Sequence, residues 1–176
     1  MAKSMPTTAE LLGTRQRILV TGGAGFIGGA VVRRLLRESD AVVFNLDKMG
    51  YASDLTSIEE VIKELGVEHQ QRHQLQPIDL CDADAVEKAV QQANPDLVMH
   101  LAAESHVDRS ISGPGVFIES NVTGTYNLLQ SVRSHFEQLP PERREQFRLH
   151  HISTDEVFGS LGQEGRFSET TPYDPR

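Results

Sequence analysis

Arg17-Ile-Leu-Val-Thr-Gly-Gly-Ala-Gly-Phe-Ile-Gly28 is the stretch on which the reading of this chain turns. Its apolar run stops at a glycine cluster, as a buried parallel strand does when a turn follows it. From Phe26 to Arg37 the apolar Ile27, Val31, Val32, Leu35 and Leu36 fall at helical spacing, with Arg33, Arg34 and Arg37 on the other side and in the last turn. Gly23, Gly25 and Gly28 satisfy Gly-x-Gly-x-x-Gly, and Gly22, Gly25 and Gly28 satisfy Gly-x-x-Gly-x-x-Gly. Between a strand and a helix, such glycines serve a tight turn, let backbone approach a pyrophosphate and let the helix pack close on the strand. A second apolar run, Ala41 to Leu46, is closed by Asp47, 19 residues after Gly28, where a carboxylate can bind ribose hydroxyls. A mere glycine turn with a solvated aspartate would need strand, helix and acid to coincide by accident. A carboxylate there repels a 2'-phosphate and favours NAD over NADP, while Lys48 beside it pulls the other way.

Working outward, Ser57 and Glu60 have capping-box spacing ahead of an apolar stripe of Ile58, Val61, Ile62 and Leu65, which predicts a second helix. Glu68 to Leu75 is largely polar and reads as an edge strand, ending at Ile78-Asp79-Leu80. A third helix is expected from about Asp84 to Ala93, a buried strand from Asp96 to Leu101, and a long helical stretch from Pro114 to about Phe136. That stretch is interrupted near Gly124 and stopped by Pro140-Pro141. Arg148 to Ser153 is the fifth strand. Strands alternating with helices imply an α/β fold, a doubly wound parallel sheet of order 3-2-1-4-5 with helices on both faces. Ligands of such sheets sit at the carboxyl ends of the strands. Those ends are Gly22 to Gly28, Asp47, Asp79, Ala102 to Ser105, and Ser153 to Glu156.

The 176 residues are enough for one domain, expected over 15–176, with residues 1–14 as a flexible leader. Hydrophobic residues make up 38% and charged residues 24%, which is ordinary globular usage. A net charge of -8 without a basic patch argues against nucleic acid or an anionic membrane as partner. An anionic cofactor can still bind if backbone amides hold it. Cys81 is the only cysteine, so no intramolecular disulfide forms, and cytoplasm is the natural compartment. No signal-peptide core or membrane-length apolar run is present.

Two further segments carry chemistry. His100-Leu-Ala-Ala-Glu-Ser-His-Val-Asp-Arg-Ser-Ile111 follows the fourth strand, with small residues at Ala102 and Ala103 against which a cofactor can lie. Glu104 and His106 have no metal-ligand spacing, so no metal is expected and a structural role in the loop is the better reading of each. Asp108 and Arg109 read as a salt bridge. Ser153-Thr-Asp-Glu-Val-Phe-Gly159 follows the fifth strand and places Asp155 and Glu156 side by side. Elimination needs one proton donor and one acceptor held close, with environments that push their pKa values apart. By itself an Asp-Glu pair is as readily the start of a solvated loop.

Taken together, these words resemble the dTDP-glucose 4,6-dehydratase family, joined by Phe117-Ile-Glu-Ser-Asn121 and Gly124-Thr-Tyr126. The resemblance runs from Arg17 to Arg176. It implies a Rossmann-type domain that holds NAD through Gly22, Gly25, Phe26, Ile27, Gly28, Asp47, Lys48, Met49, Gly50, Asp79, Leu80, Leu101, Ala102, Ala103, Glu104, Ser105 and Ser120. It implies that Ser105 and Thr154 meet the sugar, with Thr154 on its 4-hydroxyl. Asp155 would protonate the departing C6 hydroxyl and Glu156 would take the C5 proton of dTDP-glucose. It further implies a homodimer built in part from the Pro114–Phe136 segment. Departures are Gly29 for serine, Ser53-Asp54 for Gly-Asn, Ser120 for threonine and Phe158 for tyrosine. A Tyr-x-x-x-Lys pair is expected in the family, yet Tyr51 is followed by Leu55 and Tyr126 by Gln130 at that spacing, and Tyr173 stands too near Arg176. The pair, the last strands and the sugar domain are therefore expected beyond Arg176, and the chain as given is expected not to turn over. An epimerase would share the glycine loop but has no use for Asp155-Glu156. UDP-glucose stays open as substrate because base recognition falls mostly in the other half, and an NAD-binding chain without catalysis stays open as well.

Overall fold

The structure, a computed structural model, describes residues 5–162 and 164–175. In chain order it contains α1 (Thr8–Leu12), β1 (Arg17–Thr21), α2 (Phe26–Glu38), β2 (Val42–Leu46), α3 (Thr56–Leu65), β3 (His73–Gln76), α4 (Ala83–Ala93) and β4 (Leu97–His100). There follow α5 (Val107–Ser112), α6 (Pro114–Phe117), α7 (Thr125–Gln138), α8 (Pro141–Gln146) and β5 (Arg148–His151). The five strands form one sheet of order β3-β2-β1-β4-β5, every pairing parallel. That is the expected doubly wound arrangement.

The central strands are apolar at successive positions because both sheet faces are covered. Leu19, Phe44, Leu46 and Val98 point to the face packed by Val86 and Val90 of α4 and by Leu128 and Val132 of α7. Ile18, Val20 and Val43 point to the opposite face, under Val32, Leu35 and Leu36 of α2 and Ile58 and Val61 of α3. Burying a side chain of this size contributes about 1.5–3 kcal/mol, so the two layers fix strand register and with it the positions of the strand ends.

Several expectations are corrected. Residues 67–72 wind as a 3-10 helix and only His73–Gln76 pairs as β3. That segment lacks alternation, and the guanidinium of Arg72 donates to the carbonyls of Leu36 and Ser39, tying the turn to the end of α2. Ile78 to Leu80 lies past the strand. In α3 the Ser57/Glu60 capping box does not form: Asp54 accepts the Thr56 amide at 2.8 Å, while Ser57 lies inside the helix and accepts from Arg33 at 2.7 Å. The Pro114–Phe136 stretch is interrupted near Gly124 as expected, and the interruption takes the form of a π-helical turn at Ile118–Gly124 between α6 and α7. Pro141 starts α8 one residue after the stop at Pro140. β5 ends at His151, although Ile152 still donates to the carbonyl of His100 at 3.0 Å. Part of the expected flexible leader is ordered: α1 is closed by a Thr7/Glu10 capping box and buries Thr8 and Leu12 against α2. No helix among the described residues is long and apolar enough to cross a membrane.

Candidate cofactor cleft and the turn after the fifth strand

At the carboxyl end of the sheet, the loops after β1, β2, β3 and β4 enclose a cleft of about 400 Å³. Its floor is the glycine loop. Gly22 has φ +69°, and a Cβ there would stand 2.7 Å from the Ala102 Cα, so only glycine lets β1 turn this close to the end of β4. A Cβ on Gly28 would stand 2.0 Å from the Gly22 carbonyl oxygen, which is the helix-to-strand approach the spacing predicts. α2 then starts at Phe26 with no side-chain cap, and Phe26 and Ile27 are exposed at the mouth of the cleft. The first-turn amides of a helix have no intrahelical acceptor, so this end of a 13-residue helix suits a pyrophosphate.

Asp47 is 7% exposed, and its carboxylate accepts three bonds: from the Ala24 amide at 3.0 Å, the Met49 amide at 2.9 Å and the Ser53 hydroxyl at 2.7 Å. It therefore locks the glycine loop to the loop after β2, a structural duty that spacing alone does not reveal. Met49 has φ +54° and is not among the cleft-lining residues. Lys48 reaches the other way, to Glu104 after β4, with Nζ 2.7 Å from Oε1. Burial works against the charge of Lys48, but the Glu104 carboxylate and nearby Asp79 outweigh it and hold the ammonium above its usual pKa. Glu104 is clamped through its backbone as well. Asn121, in the π-helical turn, accepts its amide at 2.8 Å and donates to its carbonyl at 2.9 Å.

Beneath the cleft, Thr21 Oγ1 receives the Ala102 amide at 3.2 Å and lies 2.6 Å from His100 Nδ1. The other ring nitrogen, Nε2, lies 3.0 Å from Thr125 Oγ1, so each nitrogen of the ring has a hydroxyl partner. Burial and the facing His151 ring, 5.0 Å away between centroids, push His100 down to about 4, so the imidazole is neutral. One buried histidine thus ties β1, β4 and α7 together directly under the expected cofactor residues.

Gly22, Gly25, Phe26, Ile27, Gly28, Asp47, Lys48, Gly50, Asp79, Leu80, Leu101, Ala102, Ala103, Glu104, Ser105 and Ser120 all line the cleft. Leu46, Tyr51, Ala52, Ser53 and Ile78 line it too and escaped the sequence reading of the site, and His106, which reads as a structural loop residue, lines it as well. Of these only Ser53 had a legible partner, the carboxylate six positions before it. The Asp108–Arg109 ion pair is not found among the described residues. Arg109 lies instead over the Tyr51 ring, 3.8 Å from its centroid. No group of His, Cys, Asp or Glu among the described residues could hold a metal ion.

Thr154, Asp155 and Glu156 lie outside the cleft lining, one strand further along the same edge of the sheet. All three are exposed. Thr154 caps a short 3-10 turn, Asp155–Phe158, by accepting the Glu156 amide at 3.3 Å. Phe158 stacks on Phe167 and leans on Tyr173, while the Asp174 amide donates to Val157 at 3.0 Å. The chain after the turn thus folds back and holds it from behind.

Comparison with known proteins places this geometry. A family model described as GDP-mannose 4,6 dehydratase matches residues 19–176. A dTDP-glucose 4,6-dehydratase of Neisseria meningitidis serogroup B is 50% identical over 161 residues, which is 91% of this chain and 44% of the relative. Among solved structures, a dTDP-glucose 4,6-dehydratase from Streptomyces venezuelae with NAD and TYD bound superposes with a TM-score of 0.73 at 37% identity, over 91% of this chain and 46% of that one. A UDP-glucose 4-epimerase from Thermus thermophilus in complex with NAD gives 0.70 at 30%, over 91% of this chain and 45% of that one. The chain thus spans a little under half the length of the proteins it matches.

Proposed function

The chain belongs to the GDP-mannose 4,6 dehydratase family, and from that premise we propose that it is the NAD-binding half of a nucleotide-sugar 4,6-dehydratase acting on dTDP-glucose. The observation that carries the reading is the cleft itself: a glycine floor with no room for side chains, uncapped helix amides, and Asp47 and Asp79 on the side of β2 and β3. Backbone amides take the pyrophosphate, the two aspartates flank the adenosine, and Ala102 and Ala103 present a smooth wall for the nicotinamide. When bound, NAD would accept a hydride from sugar C4 and return it to C6. The 4-hydroxyl proton would go to the tyrosine of the Tyr-x-x-x-Lys pair that the family resemblance implies and that residues 1–176 do not contain; the remaining steps fall to residues of this chain. Ser105 and Thr154 orient the sugar, Thr154 at the 4-hydroxyl. Glu156 removes the C5 proton, which a neighbouring 4-keto group acidifies, and Asp155 gives its proton to the departing C6 hydroxyl. Water is lost across C5 and C6.

Near-equal likeness to a dehydratase and an epimerase means that the fold does not choose between them; the adjacent carboxylates Asp155 and Glu156 do, since epimerisation at C4 expels no group at C6. A second copy of the chain is the expected partner, through Ile111, Val116, Ile118, Val122, Tyr126 and Leu129, which α5 to α7 leave exposed. A net charge of -8 and a single cysteine support the cytoplasm as compartment and argue against nucleic acid or an anionic membrane as partner.

The test is mass analysis of dTDP-glucose and, separately, UDP-glucose after incubation with a version extended to the length of its relatives, beside the 176-residue chain. Loss of water from the dTDP sugar with the long form alone supports the reading, and loss from neither sugar with either form sinks it. In the long form, Asp155→Asn with Glu156→Gln should still oxidise C4 yet release no dehydrated sugar; undiminished 4-keto-6-deoxy product would refute the assigned roles.

A further inference from the structure

The cleft contains an ion pair that the proposed chemistry does not use. Lys48, after β2, and Glu104, after β4, belong to strands on either side of β1, and their contact at 2.7 Å joins the two walls. Lys48 is the only lysine or arginine among the described residues lining the cleft. It follows Asp47 directly, where a doubly wound fold meets the adenosine ribose. A free ammonium in that place would welcome a 2'-phosphate. Resting on the reading that the cleft takes a nicotinamide dinucleotide, we propose that Glu104 sets its preference for NAD over NADP by keeping Lys48 occupied.

Three observations support this. First, the lining holds three carboxylates, Asp47, Asp79 and Glu104, against that single ammonium, so it carries a net negative charge with the lysine already paired. A phosphate monoester of about -1.5 to -2 charge is repelled by such a wall. Second, the pair is not an idle surface contact. The Glu104 side chain is 10% exposed, and its main chain is fixed by both polar ends of Asn121. The burial of Glu104 sets the pair apart from fully exposed pairs of negligible worth. Third, Asp47 spends its carboxylate on Ala24, Met49 and Ser53 and cannot swing across to take Lys48 from Glu104. Selectivity in this cleft therefore resides on the far wall as well as at the acid after β2.

The backbone clamp also makes the test clean, since Glu104→Gln changes the charge while Asn121 keeps the loop in place. Calorimetric titration of the chain with NAD and with NADP should show tighter NAD binding in the unaltered protein. Glu104→Gln is expected to improve NADP affinity relative to NAD by roughly five- to tenfold, and adding Lys48→Ala should abolish the gain. An unchanged ratio in Glu104→Gln, or a gain that survives loss of Lys48, overturns the inference while leaving NAD binding intact. If neither dinucleotide binds the unaltered chain, the cofactor reading fails and this inference falls with it.

Discussion

The two halves of the sheet's carboxyl edge are built differently. On the β2-β1-β4 side the polar groups already have partners: Asp47 holds three donors, Asn121 holds Glu104, Lys48 holds Glu104, and His100 joins two hydroxyls. At β5 the side chains proposed for proton transfer stand exposed on a four-residue turn, with β5 itself the last strand of the sheet and exposed along its length. The difference follows from what each half has to do. A cofactor held by amides and small residues needs a rigid, prearranged floor, and close packing supplies it. Proton donors and acceptors gain their character from what packs over them, and Thr154, Asp155 and Glu156 are exposed, with Phe158, Phe167 and Tyr173 packed together further along the chain.

The contrast breaks most sharply at Gly28. A valine there would drive its Cβ into the Gly22 carbonyl, with Gly23 Cα at 2.9 Å, and nothing in that contact is a flexible side-chain end. Gly28→Val should cost more than about 3 kcal/mol, as forced overpacking and backbone displacement do, and remove NAD binding. Denaturant unfolding beside an NAD titration checks both; a folded variant that still binds NAD would mean the loop is not the floor of the site.

Next in size is a pH effect from His100. Its folded form resists a proton until about pH 4, whereas in the unfolded chain it accepts one at the ordinary histidine value of about 6.5. Stability from this group is therefore complete above pH 6.5 and is lost as pH falls toward 4, by roughly 3 kcal/mol. Burial pushes His73 and His135 the same way, so they add to the slope. In His100→Gln the unfolding free energy should fall less steeply between pH 6.5 and 4 than in the parent; parallel curves would show that the imidazole is not buried neutral.

Asp47→Asn comes third. One amide oxygen cannot replace two carboxylate oxygens toward Ala24, Met49 and Ser53, and leaving a buried donor unpaired costs about 1–3 kcal/mol. The loss should appear in unfolding free energy without ligand, and not only in NAD affinity. A variant with full stability and weak NAD binding would return Asp47 to a purely ribose-binding role.

These variants also mark what the sequence could say. The sheet order and the strand ends at Gly22 to Gly28, Asp47, Asp79 and Ala102 to Ser105 were legible because glycine spacing and alternation of strand and helix are local signals, whereas Gly50, Leu80, Leu101 and Ser120 came into the cleft lining only with the family resemblance. An interruption near Gly124 was legible as well, but not its π-helical form, where Gly124 lies against Leu80 and Asn121 holds Glu104, contacts with segments distant in sequence. Strand 3 was legible as an edge strand but not its start, because a polar segment gives no period; residues 67–72 wind as a 3-10 turn with Arg72 tied to the end of α2. Lys48 could be seen as a contradiction to Asp47, but its resolution by Glu104, 56 residues on, is a tertiary fact.

The smallest expected effect sharpens the comparison most. Phe158 has no partner in the cleft; it touches Phe167 and Tyr173, whose chain returns to pin Val157 through the Asp174 amide. Removing its ring should cost under about 1.5 kcal/mol, the range of a partly exposed aromatic pair, because neither core cluster includes it. Phe158→Ala should therefore leave NAD affinity and the unfolding midpoint close to the parent, while amide exchange rises at residues 154–159. That pattern means the turn carrying Asp155 and Glu156 is held locally and opens without the cofactor floor. If exchange instead rises equally around Gly22 and Ala102, the two regions are one cooperative unit, and the exposed turn is steadied by the glycine floor rather than by the aromatic residues behind it.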